Sequence, residues 1–97
     1  MLKIVDNVDL KELEKFGFEY DEDAKCYVKQ IFSQHTKGLF VPFVATGYLI
    51  LQDDGTFIDY LTNKYMNAEK EHKESLNKVY DDLIKADLVE KVDDNNE

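Results

Sequence analysis

The stretch from Leu76 to Ile84 restricts the fold more than any other. Its apolar residues Leu76, Val79, Tyr80, Leu83 and Ile84 fall at i, i+3, i+4, i+7 and i+8, which draws one stripe along an α-helix. Such a helix must bury its stripe against something. The runs between Cys26 and Leu61 are rich in aromatic and β-branched residues, as half-buried strands are, so they supply a sheet for it to lie on. The expected class is α+β: an antiparallel sheet of about four or five strands packed by one long C-terminal helix, with a short N-terminal helix. With 97 residues the chain reads as a single small domain, 1–97, holding one modest core.

In chain order, Leu2, Ile4 and Val5 suit a short strand or packed arm. Leu10, Leu13 and Phe16 then recur at helical spacing, and Gly17 is placed to end that helix in the left-handed conformation. From Phe18 the period becomes two. Phe18–Tyr20 and Cys26–Ser33 read as strands joined by the polar turn Asp21–Lys25. Gln34–Gly38 reads as a loop, Leu39–Val44 as a strand weakened by Pro42, Ala45–Gly47 as a turn and Tyr48–Gln52 as a strand. Asp53-Asp54-Gly55 is the clearest turn signal, closing a hairpin with Thr56–Leu61. The long helix is capped by Asn63 or Asn67 and runs to about Lys85. Residues 88–92 are either a short extended piece, with Asp87 taking the turn conformation, or a continuation of the helix. Residues 93–97 read as a frayed acidic tail.

Charge sets the partner class. Twenty-one Asp and Glu stand against 12 basic residues, all of them lysine, for a net charge of −9. Direct nucleic-acid binding is disfavoured, because phosphate recognition rests on clustered Lys and Arg and this chain carries no arginine. A basic protein surface is the natural complement, one candidate being that of a nucleic-acid-binding enzyme. The longest uncharged run, Gly38 to Gln52, is broken by Pro42 and Gly47 and is too short to span a bilayer. The start Met1-Leu2-Lys3-Ile4-Val5-Asp6 has no secretory pattern, and the lone Cys26 forms no internal disulfide, so the expected place is the cytoplasm with no membrane partner.

Little in the chain spells chemistry, and the expectation is a protein that is not an enzyme and has no cofactor. Cys26 lies in an apolar strand, and neither His35 nor any third group completes a nucleophilic arrangement with it. His72, among Glu69, Glu71 and Glu74, reads as part of a solvated helix face with too few ligands for a metal. Asp21, Glu22 and Asp23, and separately Asp53 and Asp54, form two acidic hairpin tips, neither with the alternation of a calcium loop. Tips pointing the same way would present closely spaced carboxylates resembling a phosphate ladder. These five, with Tyr20 and Tyr27, are the candidate partner-binding residues. The chain has six tyrosines, a residue that interfaces favour, and a tyrosine-bearing sheet face is an alternative surface for a homodimer or an assembly module.

The segment Asn7-Val8-Asp9-Leu10-Lys11-Glu12-Leu13-Glu14-Lys15-Phe16-Gly17-Phe18, the hairpin after it, and Tyr80-Asp81-Asp82-Leu83-Ile84-Lys85-Ala86-Asp87-Leu88-Val89-Glu90 resemble small uncharacterised phage and prophage proteins of Gram-positive bacteria. Lysine without arginine, with abundant Asn, Asp, Ile and Tyr, agrees with an AT-rich genome. The resemblance implies an accessory gene product and carries over no catalytic residue. Combined with the charge, it leads to the expectation of a phage accessory protein that binds a host or viral protein through its acidic surface, in its sharper form an inhibitor of DNA-mimic type acting as anti-restriction and anti-CRISPR proteins do.

Overall fold

The computed structural model describes residues 2–36, 43–64 and 67–91. It is an α+β fold. Four strands, β2 (Glu19–Asp21), β3 (Cys26–Thr36), β4 (Phe43–Leu51) and β5 (Phe57–Leu61), form an antiparallel sheet in the order β2-β3-β4-β5. One helix, α1 (Ala68–Lys85), lies across it. Two further strands, β1 (Leu2–Ile4) and β6 (Val89–Lys91), pair antiparallel with each other. The Ile4 amide donates to the Gly55 carbonyl at 2.8 Å, tying this ribbon to the β4–β5 turn.

The expected short N-terminal helix is present as a 3-10 helix, Leu10–Phe16. Leu10, Leu13 and Phe16 repeat at a period of three, the period of the tighter helix. Asp9 caps it by accepting from the Lys11 amide at 3.0 Å.

Both helices end alike. At the first, Gly17 has φ 89°; its amide donates to Glu14 O and that of Phe18 to Leu13 O. At α1, Asp87 has φ 60°; its amide donates to Ile84 O and that of Leu88 to Leu83 O. This is the Schellman pattern, in which the residue after the left-handed one packs on the last helical turn. The pairs Phe18 with Leu13 and Leu88 with Leu83 are accordingly among the buried core residues. The left-handed Asp87 turns the chain out of α1 and into β6, so 89–91 is extended and does not prolong the helix.

Sequence periodicity divided the middle of the chain wrongly. Ala45-Thr46-Gly47 is not a turn: β4 runs through it without a break, pairing Ala45 with Gln34, Thr46 with Ser33 and Gly47 with Phe32. The register against β3 slips between Gln30 and Phe32, opposite this point. Pro42 and the 39–42 part of the expected strand lie outside the described residues, as do Tyr65 and the 93–97 tail.

The core sits between α1, the 3-10 helix and one face of the sheet, where Leu13, Phe18, Leu49, Leu51, Phe57, Leu76 and Leu83 are buried. Of the expected helix stripe, Leu76 and Leu83 are buried, Val79 and Tyr80 are half-buried, and Ile84 is 38% exposed. The buried line runs Ala68, His72, Leu76, Leu83, which leaves Ile84 past its edge.

Candidate functional site

Two turns build the acidic end. In the first, Asp21 Oδ1 accepts from the amides of Asp23 at 2.9 Å and Ala24 at 3.1 Å, and Lys25 turns the chain with φ 59°. Glu22 and Asp23 are left exposed at its tip. In the second, Gly55 supplies φ 88°, and Asp54 Oδ1 accepts from the Thr56 amide at 2.9 Å and from its hydroxyl. Those bonds from Thr56 hold the Asp54 carboxyl below the usual carboxylate range. Asp53 is exposed beside it.

The sheet register decides where the turns lie. Asp21 pairs with Cys26, Val28 with Ile50, and Leu51 with Phe57, so the β2–β3 and β4–β5 turns leave the same end of the sheet. Asp21, Glu22, Asp23, Asp53 and Asp54 therefore gather at one end of the molecule. A shallow depression of about 470 Å³ between the turns is lined by Ala24, Cys26, Ile50, Leu51, Gln52, Asp53 and Asp54. Burial, then the carboxylates of Asp21 and Asp53, push the Cys26 thiol up, the opposite of what a thiolate nucleophile requires. Cys26 and His35 stand at opposite ends of β3, nine residues or about 30 Å apart, so no pair forms. No group of three or more His, Cys, Asp or Glu that could hold a metal ion occurs among the described residues.

Tyr20 and Tyr27 pair across β2 and β3, with ring centroids 5.3 Å apart and planes at 72°. By strand alternation they lie on the covered face, one residue in from the acidic turn. The Tyr27 hydroxyl donates to Glu14 Oε2 at 3.3 Å, and Tyr20 is 51% exposed. The tyrosines join the acidic end only along its edge. On the uncovered face, Val28, Ile50 and Ile58 form one cross-strand row, and Gln30, Tyr48 and Tyr60 the next. Ile58 and Tyr60 are 46% and 56% exposed.

His72 contradicts its expected place on a solvated face, for it is the one buried polar or charged residue among those described. Its ring lies on β4 at Gly47, with Nε2 2.8 Å from Asp59 Oδ2 on β5 and the ring of Phe32 edge-on at 6.4 Å. A β-carbon at Gly47 would stand 2.7 Å from His72 Cε1 and closer still to Nδ1, so the strand glycine exists to admit the ring. Nδ1 is buried without a hydrogen-bond partner. With Nε2 on Asp59 and Nδ1 closed off by β4, the ring has no nitrogen to offer a substrate; it clamps the first half of α1 to the sheet. The signal was present in the sequence: His72 stands four residues from both Ala68 and Leu76, on the buried line, and its acidic neighbours at 69, 71 and 74 point elsewhere. Burial, and the Asp59 carboxylate beyond it, also raise Tyr80 above the ordinary tyrosine range.

The fold and site thus define a small α+β protein with a one-sided sheet and an acidic end. Comparison with protein-family models, curated proteins and solved structures returned no match. No helix among the described residues is long and apolar enough to cross a membrane.

Proposed function

We propose that the chain is a non-enzymatic interaction protein whose acidic end docks on a basic protein surface in the cytoplasm. In its sharpest form it is a phage accessory product that presents a DNA-like row of carboxylates to a nucleic-acid-binding defence enzyme. The single observation behind this reading is the convergence of Asp21, Glu22, Asp23, Asp53 and Asp54 on one end of the sheet, set by the strand register. Asp21 and Asp54 spend one oxygen each inside their turns, which fixes both loops, while Glu22, Asp23 and Asp53 make no side-chain hydrogen bond among the described residues. Rigid loops with outward charge lower the ordering cost of docking.

The test is capture of a basic partner from host lysate by the wild-type chain and by a variant with all five acids changed to Asn or Gln. Binding that weakens steeply with salt and disappears in the variant supports the reading. Retention of the partner by the neutralised chain refutes it.

A second reading has its own observation. The rows Val28-Ile50-Ile58 and Gln30-Tyr48-Tyr60 lie on the face that α1 does not cover, as a homodimer or assembly surface would. A sedimentation series finding dimer that Ile58→Lys converts to monomer would favour it; monomer at every concentration removes it.

A further inference from the structure

We propose that the cleft between β5 and the first half of α1 is a binding site for a small amphiphilic anion, an apolar body carrying one anionic head. It is an open groove of about 720 Å³, within the range of small-molecule sites, bordered by the second half of β5, away from the acidic turn. The proposal is independent of the acidic end and of the partner assigned to it.

The lining is unlike the rest of the surface. In a chain with a net charge of −9, this cleft is bordered by three lysines, Lys64, Lys70 and Lys73, against two acids. Both acids are engaged: Asp59 Oδ2 is bonded to the buried His72, and Glu69 Oε2 lies 3.6 Å from Lys64 Nζ. Lys70 and Lys73, one helical turn apart, form no ion pair among the described residues. Two uncommitted ammonium groups at the mouth call for an anion and exclude a metal cation. Below them Leu61, on the covered face of β5, and Leu76 make an aliphatic floor. An apolar floor under a cationic rim selects a molecule with an apolar body and a carboxylate, sulfonate or phosphate at one end. The N-terminus of α1, whose cap Asn67 makes no side-chain bond, adds positive potential on the same side.

The probe is anilinonaphthalene sulfonate, itself a member of that class, titrated into the full chain and followed by fluorescence. Its comparison is phenylnaphthylamine, which keeps the aromatic body and lacks the anion. One saturable, blue-shifted site is expected for the sulfonate dye, with the neutral dye weaker by roughly tenfold, as two screened charge contacts would give. Lys70→Gln/Lys73→Gln should bring the sulfonate dye down to the neutral dye's affinity, while Ile58→Lys on the uncovered sheet face should leave it unchanged. Exposed Lys to Gln changes on a helix cost little stability, and the two-dye comparison on the wild-type chain stands without the variant. No saturable binding, equal affinity for the two dyes, or loss of binding in Ile58→Lys alone would each overturn the proposal.

Discussion

Gly47→Ala puts a methyl group where His72 already sits. The new β-carbon would lie 2.7 Å from Cε1 and nearer still to Nδ1, and a buried ring held by Asp59 cannot swing away as a lysine tip would. Overpacking of this kind costs about 1–3 kcal/mol, and the upper half applies because the opposing atoms belong to a rigid ring. The backbone does not object, since Gly47 is not among the positive-φ glycines, so in isolation the change should gain about 0.4–1 kcal/mol from the stiffer unfolded chain. Removing the ring exposes that gain. In a His72→Ala background the same methyl enters the vacated space and buries about one further methyl's worth of apolar surface, near 0.8 kcal/mol. Gly47→Ala should therefore destabilise the wild-type protein and stabilise His72→Ala, with a coupling of about 2 kcal/mol or more. Urea unfolding of the four chains by far-ultraviolet circular dichroism measures it. Additivity within about 0.5 kcal/mol would mean that the glycine is not there to seat the histidine, and the clamp would have to be abandoned.

Leu83 is fully buried under the end of α1, so Leu83→Ala should cost about 2–5 kcal/mol in the same assay; a loss below 0.5 would remove the helix from the core. Asp87 holds a left-handed conformation that glycine adopts freely, so Asp87→Gly should raise stability by about 0.5–1 kcal/mol, read from the urea midpoint. Because Thr56 holds the Asp54 carboxyl low, its contribution is present above the unfolded aspartate pKa and is lost as pH falls through the lower folded value. Asp54→Asn should flatten the acid limb of the stability-against-pH curve, and an unchanged limb would contradict the Asp54–Thr56 bonding. Cys26, with its thiol raised by burial and by Asp21 and Asp53, should alkylate more slowly than free cysteine at neutral pH and accelerate only at higher pH; rapid alkylation would reopen a nucleophilic role.

Legibility in the sequence followed locality. The Asp53-Asp54-Gly55 turn, the end of the first helix at Gly17 and the helical stripe through Leu76 and Leu83 are set within a few residues, and each was readable from spacing and residue type. Gly47 was misread for the opposite reason. A glycine after Ala-Thr looks like a turn until one knows that a histidine 25 positions later needs its vacant β-carbon. His72 failed symmetrically, since its neighbours at 69, 71 and 74 are acidic while its place on the helix points inward. The Leu10-Leu13-Phe16 triplet carried the 3-10 period openly, but a two-turn α-helix gives nearly the same spacing over so short a run. The acidic residues were each visible, and their grouping was not, because it depends on the strand order and on Val28 facing Ile50.

The same register separates the two charged features of the surface. An antiparallel sheet alternates its turns between two ends, so β2–β3 and β4–β5 must share one end and the exits of β3 and β5 the other. Asp21–Asp23 and Asp53–Asp54 fall at the first; Lys64, which follows β5, and Lys70 and Lys73, in the first half of α1, fall toward the second. Five of the 21 acidic residues thus meet at one end, with Lys3 beside Gly55, while three lysines border a cleft toward the other. A uniform coat of carboxylates would serve solubility alone. A cluster of carboxylates at one end is the local field that steering toward a basic surface would use. The same register sets the lysines of the cleft apart from the acidic turns: Asp54 and Lys64 flank opposite ends of β5, whose five residues span about 16 Å against a Debye length of about 8 Å.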